Sequence, residues 1–479
     1  MPHVAVLGGS IVGSAIALQL ARSGWRVTVV DPELDLLDVP EPAPRPGAPH
    51  TVHAHGFMSR THHELATRLP DVLAGVVDRG APVVELAAMV PPPLHDGGRP
   101  GDEQLRCLRS RRWLIDRVIA EVVRREVGIT LVPERATGLL LEDDGRVPTV
   151  HGLALADGKV EADLTIDAGG RRSAVRRWLG ATGLTQPERV DPCVVRYYTR
   201  HFRLRDGTAY PPLTGFAVVH DFPSLVQLIF LGDNGTAMMA QAVHDRDPSL
   251  TALRHPDAFY AVAAANPELT PWLEVLEPIS PVFCLGAFDN RMCRLVDDGR
   301  PVVRGLQQVG DALAMTNPTR GRGMAMGLAA AGVLHDLLVS DGRDPDAVAL
   351  AFDAWQQRAL AVYYRETAAV DTVLSARLTG GLEGRSVPGN APGIELPEGH
   401  PVSPEQFERA AGRDPDLFRL QMRAVMLLDD ERVVAAPETT ERVRRVLAAL
   451  PEPEPSPTPP SEGVLHDRAA LDALLAPHL

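Results

Sequence analysis

The first 31 residues constrain this chain more than any other stretch, because they match one supersecondary unit from end to end. Two short apolar runs, residues 3–7 and 25–30, flank a glycine turn (GGSIVG, residues 8–13) and an Ala/Leu-rich stretch that continues to about residue 22. This order predicts strand, tight turn, helix and second strand, the βαβ layout of dinucleotide-binding proteins. An ordinary buried βαβ unit is the alternative interpretation.

The turn residues fit a phosphate-binding role. A bound pyrophosphate must approach the backbone N–H groups at the helix N-terminus, so side chains there must be small or absent. The predicted contacts are Gly8, Ser10, Ile11, Val12 and Gly13. Asp31, eighteen residues after Gly13, would accept a hydrogen bond from a ribose hydroxyl. Ser10 departs from the G-x-G-x-x-G pattern, but a serine is small and can itself hydrogen-bond a phosphate.

Composition narrows the class of protein. The 479 residues carry 48 Lys and Arg against 62 Asp and Glu, a net charge of −14, so no basic footprint for nucleic acid is present. The four cysteines are far apart, with neither a C-x-x-C pair nor metal-ligand spacing. The N-terminal apolar run lacks a basic flank and is interrupted by the glycine turn, which indicates neither a signal peptide nor a membrane span. We predict a reduced, cytoplasmic protein.

Two later segments repeat the pattern of a strand followed by a small-residue turn. Residues 163–177 (DLTIDAGGRRSAVRR) place Asp167 at the end of an apolar run, directly before a glycine pair. Residues 305–327 place Asp311 after a strand and lead into a helix start that contains Pro318, Gly321, Gly323 and Met324. A carboxylate at a strand end can hold a ribitol hydroxyl, and helix N–H groups can face an anionic ring edge.

The three segments in this order (GGSIVG with Asp31, DAGGRRS, GDALAMTNPTRGRGM) resemble the FAD-dependent monooxygenase superfamily, which has the fold of p-hydroxybenzoate hydroxylase. Within it, the chain is most similar to bacterial flavin oxygenases of natural-product pathways, including polyether epoxidases. That similarity lies in residues 47–73 (GAPHTVHAHGFMSRTHHELATRLPDVL) and in Ser110-Arg111-x-x-Leu114. The resemblance covers about residues 3–345.

The resemblance implies an α/β fold in which a Rossmann-like FAD-binding domain carries an inserted antiparallel β-sheet substrate domain and a helical C-terminal region. We place the FAD-binding domain at residues 1–80, 105–190 and 285–345, and the substrate domain at 81–104 and 191–284. A helical region would occupy 346–450, a Pro-rich linker 451–463, and a short C-terminal helix 464–479.

The resemblance also implies roles for single residues. Gly8, Ser10, Gly13 and Asp31 would hold the ADP half of FAD. Arg111, or Arg112 in an alternative register, would contact the phosphate–ribose region. Asp311 would bind the ribitol or pyrophosphate region, and residues 321–324 would line the isoalloxazine.

The implied reaction inserts one oxygen atom from O2 into a hydrophobic small molecule, by hydroxylation or epoxidation through a flavin C4a-hydroperoxide, and belongs to natural-product biosynthesis. Electrons would come from NAD(P)H, either directly or through a flavin reductase partner. Water must be kept from the flavin, so an apolar pocket is expected beside it. Its candidates are Tyr197, Phe216, Phe230, Met238 and Phe283, for each of which packing in a sheet core is the alternative.

His53 and His55 are the candidate catalytic side chains, since their spacing allows both to approach the flavin or substrate. A capping or core role is an equal alternative, and without a third ligand at suitable spacing no metal site is predicted. The competing functions are an alkene reductase of the geranylgeranyl-reductase type, a flavin halogenase and a non-catalytic flavoprotein. The halogenase is disfavoured because the chain lacks W-x-W-x-I-P and contains Lys159 as its one lysine, outside the expected position.

Overall fold

The computed structural model describes residues 1–35, 44–90, 92–143, 145–213, 215–286, 289–341, 344–385, 387, 394, 396, 399–429, 431–451 and 463–479. The strands among them are β1 His3–Leu7, β2 Arg26–Val30, β3 Val83–Glu85, β4 Arg106–Leu108, β5 Ile129–Val132, β6 Ala136–Glu142, β7 Thr149–Leu155, β8 Gly158–Glu161, β9 Leu164–Asp167, β10 Glu188–Asp191, β11 Val195–Leu204, β12 Val218–Asp221, β13 Leu225–Leu231, β14 Thr236–His244, β15 Leu276–Pro278, β16 Phe283–Gly286, β17 Asn290–Cys293, β18 Val296–Asp297, β19 Arg300–Pro301, β20 Leu306–Gln308 and β21 Ala314–Met315. The α-helices are α1 Ile11–Arg22, α2 Ser59–Arg68, α3 Pro70–Asp78, α4 Arg112–Arg125, α5 Val175–Ala181, α6 Pro256–Ala264, α7 Thr270–Val275, α8 Gly323–Asp341, α9 Pro345–Trp355, α10 Ala361–Leu382, α11 Pro404–Ala411, α12 Pro415–Val425, α13 Glu431–Val434, α14 Pro437–Ala448 and α15 Arg468–Leu475.

A five-stranded parallel sheet forms the centre of the first layer, in the order β20-β9-β1-β2-β5. Side chains alternate between the two faces of a strand. Val4 and Val6 of β1 therefore pack with α1 and α8, whereas Ala5 packs against the three-stranded β6-β7-β8 sheet on the other face. Because both faces are covered, β1 and β2 are mainly apolar, as in doubly covered parallel sheets.

Alternating apolar and polar residues over 136–168 predict a β meander, and apolar residues at helical spacing over 59–81 predict one helix. The structure keeps β6, β7 and β8 as an antiparallel sheet, but β9 pairs in parallel with β1 and thus belongs to the central sheet. The helix is broken into α2 and α3 at Leu69, which has φ −138° and ψ 56°. Pro70 follows it, and proline disfavours helical backbone in the residue before it.

A six-stranded antiparallel sheet forms the second layer, in the order β12-β13-β14-β11-β15, with β16 also paired to β11. One face carries Tyr198 and Phe202 and packs against α6, α7 and the C-terminal α15. The opposite face carries Tyr197, Thr199 and His201 and turns toward the parallel-sheet layer, where residues 52 and 53 contact it. The helix α15 therefore supports the sheet from behind and does not cover this inner face.

The C-terminal helices begin with α9 and α10, which are joined by a π-helical turn over Gln356–Leu360. The predicted Pro-rich linker lies outside the described residues except at its ends. Residues 323–340 of α8 are long and apolar enough to span a membrane by length and composition, but 61 % of that window is buried in the protein. Its Ala325, Ala330 and Leu334 belong to the same core as β1 and α1, as expected for a core helix.

Candidate cofactor cleft and active site

A cleft of about 330 Å³ opens where the carboxyl ends of β1, β2, β9 and β20 meet. Three parts of the chain that are far apart in sequence contribute to its lining: residues 7–8, 10–13 and 30–33, residues 168–170 and 172–174, and residues 310–311 with 323–324. In open α/β sheets, ligands bind at this edge of the strands. The three sequence segments that predicted a dinucleotide site thus converge on one cavity.

The glycine turn is packed so tightly that side chains are excluded at two positions. Gly8 has φ +102°, and a Cβ placed there would lie 2.5 Å from the carbonyl oxygen of Ala168. A Cβ on Gly13 would lie 1.9 Å from the carbonyl oxygen of Gly8. Both obstacles are backbone atoms, which cannot rotate away. The turn is therefore built for close approach between backbone segments and for a ligand lying against them.

Ser10, which stands where the glycine pattern has its second glycine, directs its hydroxyl toward α4. Ser10 Oγ donates a hydrogen bond to Asp116 Oδ1 (3.0 Å) and accepts one from Arg112 Nη2 (3.3 Å). Asp116 also accepts from Arg112 Nε at 3.2 Å. The serine thus joins a buried network on α4 that orients Arg112, and its side chain does not cap α1.

Asp31 stands at the end of β2, as the sequence predicted. Its two carboxylate oxygens accept hydrogen bonds from the backbone N–H groups of Gly9 (2.7 Å) and Glu33 (2.7 Å). These bonds fix the carboxylate at the rim of the cleft, between the glycine turn and the loop that follows β2. A carboxylate oxygen has further lone pairs, so this geometry still permits a ribose hydroxyl to donate to it.

Asp311 also lines the cleft, in a turn that begins at Gly310 with φ +64°. Burial raises the pKa of its carboxyl group, and the positive charges of Arg112 and Arg171 oppose that shift. Gly323 and Met324 open α8 beside it and also line the cleft. The N-terminus of this 19-residue helix, with its exposed N–H groups, therefore points toward the same space.

All five candidate pocket residues lie on or against the inner face of the six-stranded sheet. The register pairs Phe230 with Met238, Met238 with His201, and Thr199 with Phe283, which places these side chains on one side. Phe216 packs edge-on against Phe230, with ring centroids 6.0 Å apart. A Cβ on Gly56 would lie 2.5 Å from Phe216 and 2.9 Å from Phe230, so both rings rest on the loop that contains the histidines.

Comparison with known proteins agrees with this geometry. No protein-family model matches the chain. Two curated relatives are each 27 % identical: Protein Rv3254 of Mycobacterium tuberculosis (70 % of this chain and 73 % of the relative) and the ubiquinone hydroxylase UbiL of Rhodospirillum rubrum (72 % and 75 %). Among solved structures, the p-nitrophenol 4-monooxygenase PnpA of Pseudomonas putida superposes with a TM-score of 0.59 at 17 % identity, covering 90 % of this chain and 100 % of PnpA.

Two further structures are PqsL of Pseudomonas aeruginosa, at a TM-score of 0.59 and 17 % identity (79 % of this chain, 98 % of PqsL), and the flavin-dependent brominase Bmp2, at 0.60 and 13 % identity (93 % and 98 %). The fold is that of the FAD-dependent monooxygenase superfamily. The predicted resemblance and the predicted fold class are confirmed at this level.

Within this FAD-monooxygenase fold, most of the predicted cofactor residues share the cleft. The predicted residues that line it are Gly8, Ser10, Ile11, Val12, Gly13, Asp31, Arg112, Asp311, Gly323 and Met324. Pro318 and Gly321 stand outside the lining, in the turn that leads to α8, where Gly321 adopts φ +64°. Their predicted contact with the flavin ring remains a prediction.

The two arginine alternatives separate clearly. Arg111 does not line the cleft, because its guanidinium is held by Asp233, with Nη2 to Oδ1 at 2.7 Å, at the end of β13. Arg112, one residue on, starts α4 and turns into the cleft toward Ser10. The structure therefore places Arg112, and not Arg111, in the lining of the cleft, and the contact of either arginine with FAD stays a prediction.

Arg45, which no sequence pattern singled out, is a cationic side chain that lines the cleft in a proline-rich loop. Its side chain is 7 % exposed, and its Nε and Nη1 have no hydrogen-bond partner in the structure. Glu33 Oε2 and Asp116 Oδ1 stand 3.4 and 3.9 Å from these atoms, beyond good hydrogen-bond length for the second. A lone arginine among prolines carries no periodic signal, so the sequence offered nothing to single it out.

The histidines lie on the loop between the cleft and the sheet. Burial and the neighbouring His201 lower the pKa of His53 to about 3, and burial with Arg112 lowers that of His55 to about 3. His53 Nδ1 is 2.9 Å from Thr199 Oγ1, and His55 Nδ1 donates to the carbonyl oxygen of His53. His50, which was not predicted, lines the cleft itself. These imidazoles are therefore neutral at pH 7, and that of His53 connects the loop to β11 through Thr199.

The His53→Gln variant is expected to make stability less dependent on pH. Below pH 6.5 the histidine is protonated in the unfolded chain but not in the native one, so the free energy of unfolding falls as the pH decreases. Each pH unit costs about 1.4 kcal/mol, or about 2 kcal/mol between pH 6.5 and 5. Urea unfolding at both pH values should show a loss that is smaller by about 2 kcal/mol in His53→Gln than in the wild type, since His55, whose pKa is also lowered, contributes in both. His151→Gln, at a half-exposed histidine, is the control and should behave as the wild type does.

Proposed function

We propose that this chain is an FAD-dependent monooxygenase that transfers one oxygen atom from O2 to a hydrophobic small molecule, and that it acts in natural-product biosynthesis. The observation that carries the proposal is the convergence of the three separated segments on one cleft. Next to that cleft lies an apolar sheet face with aromatic side chains. The ubiquinone hydroxylase relative, whose name denotes an apolar substrate, supports the same class of reaction.

The residues present fit FAD. Arg45 stands 3.4 Å from Glu33 and 3.9 Å from Asp116, yet its buried Nε and Nη1 form no hydrogen bond, and the pyrophosphate of FAD is an anion that would accept from them. The glycine turn supplies backbone that a phosphate can approach, as Gly8 and Gly13 leave no room for side chains. Arg45, Arg112 and the turn would hold the pyrophosphate, Asp31 the ribose, and Asp311 the ribitol.

Bound FAD would supply the reaction with O2, and the residues of this chain would bind, orient and exclude water. The neutral imidazoles of His53 and His55 add no charge beside the ring, so they do not draw water into the site. On the substrate side, Phe216, Phe230 and Phe283 are partly exposed and offer an apolar surface, and Met238 is fully buried beside them. A hydrophobic, electron-rich molecule suits this surface, whereas a highly charged one does not.

The halogenase alternative receives no support from the site. Lys159, the one lysine, lies on β8 in the outer three-stranded sheet, where its ammonium pairs with Glu161 at 2.6 Å. Lys159 therefore belongs to a different sheet from the one whose inner face carries the candidate substrate residues. Alkene reduction is distinguished from oxygenation by its independence of O2.

The first experiment is the spectrum and turnover of the purified protein. We expect a yellow protein with bound FAD that oxidises NADPH faster when an apolar aromatic or polyene substrate is added, with matching O2 uptake. Adding a flavin reductase tests whether electrons arrive directly or through a partner. Colourless protein that does not bind added FAD would contradict the proposal, and product formation without O2 would indicate the reductase.

Asp311→Ala is expected to lower FAD affinity and activity together. The substitution removes the carboxylate and with it a hydrogen bond to the cofactor. Hydrogen bonds to charged groups contribute about 1.5–3 kcal/mol, or about 10- to 150-fold in Kd. Titration of apoprotein with FAD, followed by flavin fluorescence, measures the change. Asp297→Ala removes an exposed carboxylate on a hairpin outside the cleft and should leave the Kd unchanged. Full flavin content in Asp311→Ala would count against this placement.

A further inference from the structure

A buried polar network links the turn before α8 to α10, β17 and β11. Its members are Asp371 on α10, Asn290 on β17, Tyr197 on β11, Cys193, and Asn317 and Thr319 in the turn. Asp371 is fully buried. A buried carboxylate is costly unless it is hydrogen-bonded. The network therefore indicates a role for Asp371 beyond filling space in the core.

Asp371 is the centre of this network. Its Oδ1 accepts hydrogen bonds from Thr319 Oγ1 (2.8 Å) and Asn317 Nδ2 (3.3 Å), and its Oδ2 accepts from Asn290 Nδ2 (2.7 Å). Asn290 Oδ1 in turn accepts from the backbone N–H of Asn317 at 2.6 Å. Both the side chain and the backbone of residue 317 are therefore fixed from α10 and β17.

The six-stranded sheet joins through Tyr197. Its hydroxyl donates to Asn317 Oδ1 at 2.7 Å and lies 2.9 Å from Thr319 Oγ1. The phenol ring packs in a core with Leu374 and Leu378 of α10. Tyr197, predicted as a pocket residue, thus uses its polar end to tie the substrate sheet to the turn.

A second contact from the same helix holds the far end of the turn. Arg322, directly before α8, is 4 % exposed and places Nη1 2.6 Å from Glu366 Oε2. Glu366 and Asp371 both lie on α10. Residues 317–322 are therefore held at both ends by one helix of the C-terminal region, while Gly323 and Met324 immediately after them line the cleft.

We propose that Asp371 is a positioning residue: from α10 it sets the turn at residues 317–322, and hence the flavin-ring end of the cleft, relative to the inner face of the six-stranded sheet. This inference rests on the proposed function. It gives the C-terminal helices a role at the active site without any contact between them and the cofactor. Burial raises the pKa of Asp371 to about 6, and the surrounding donors oppose the shift, so the carboxylate that these donors need is present at neutral pH and above.

The test compares Asp371→Asn with Asp353→Asn. Asp353, on α9 of the same helical region, is also buried and accepts two hydrogen bonds from Arg294, but it does not contact the turn. In each variant, FAD affinity, the visible flavin spectrum and the flavin midpoint potential are measured at pH 8. We expect Asp371→Asn to bind FAD about tenfold more weakly and to shift both the spectrum and the potential. Asp353→Asn should change none of the three.

Tyr197→Phe provides a second variant if Asp371→Asn does not fold, since it removes one hydroxyl and keeps the packed ring. It should shift the flavin spectrum in the same direction with a smaller loss of affinity. An unchanged spectrum and potential in both variants, or equal changes in Asp353→Asn, would overturn the inference. Wild-type protein that fails to bind FAD would overturn the proposed function itself, which is a separate result.

Discussion

Gly13→Ala is expected to abolish FAD binding. The added Cβ would lie 1.9 Å from the carbonyl oxygen of Gly8 and 3.1 Å from the Cβ of Ala168. The N–H of Gly8 donates to the carbonyl oxygen of Val30 at 2.9 Å, and the carbonyl oxygen of Leu7 accepts from the N–H of Ala168 at 2.8 Å, so the turn cannot yield without disturbing the contacts of β1 with β2 and with the segment after β9. Overpacking of this kind costs about 1–3 kcal/mol where flexible side chains can adjust, and here the obstacle is backbone. We therefore expect Gly13→Ala to lower the free energy of unfolding by more than this.

The measurement is FAD titration of the purified apoprotein, together with thermal unfolding. Gly13→Ala should show no saturable flavin binding and a lowered Tm. Gly180→Ala is the matched control, because Gly180 lies in α5 with open space around its Cβ position. Alanine there should stabilise the helix by about 0.5–1 kcal/mol and leave FAD binding intact. Normal FAD affinity in Gly13→Ala would show that the turn does not hold the cofactor.

Arg45→Met is expected to weaken FAD binding by about 10- to 150-fold. Methionine keeps the apolar length of the side chain and removes the guanidinium, whose Nε and Nη1 have no hydrogen-bond partner in the protein. A charge-assisted hydrogen bond contributes about 1.5–3 kcal/mol, which corresponds to that change in Kd. The Kd of Arg45→Lys for FAD should lie between those of the wild type and Arg45→Met, because an ammonium keeps the charge but lacks the planar pair of donors.

Arg135→Met is the control for general charge effects, because Arg135 also lines the cleft but is exposed to solvent. Exposed charges contribute at most about 1 kcal/mol, so its Kd should change less than about fivefold. Circular dichroism of each apoprotein establishes that the fold is kept. A Kd for Arg45→Met equal to that of Arg135→Met would exclude the arginine as a phosphate ligand. The salt dependence of FAD binding should also be smaller in Arg45→Met than in the wild type.

Local sequence patterns were sufficient to predict the features that depend on residues close together in the sequence. The strand–turn–helix unit at residues 3–30 was recognisable because periodicity and glycine placement are local properties. The inner face of the six-stranded sheet was also predicted, since alternation along β11, β13 and β14 is not interrupted by a bulge between the candidate residues. A single inserted residue would have reversed that assignment.

Three features required the folded chain. The choice between Arg111 and Arg112 was decided by Asp233, more than a hundred residues away, whose carboxylate holds the first and leaves the second to the cleft. The hydroxyl of Ser10 donates a hydrogen bond to Asp116 on α4. The serine at the motif's glycine position is thus accommodated by a residue outside the motif. Tyr197 was assigned to the pocket by its face of the strand, but its hydroxyl belongs to the network around Asp371.

By itself, the sequence determined the parallel α/β architecture, the position of the nucleotide-binding turn and the three segments that form the cleft. The reason is that backbone conformation and burial periodicity are encoded in short windows. Only the tertiary structure decided which charged and polar side chains act together, such as Arg45 with the glycine turn or α10 with residues 317–322. Those pairings depend on distances between elements that are remote in sequence, and no local pattern records them.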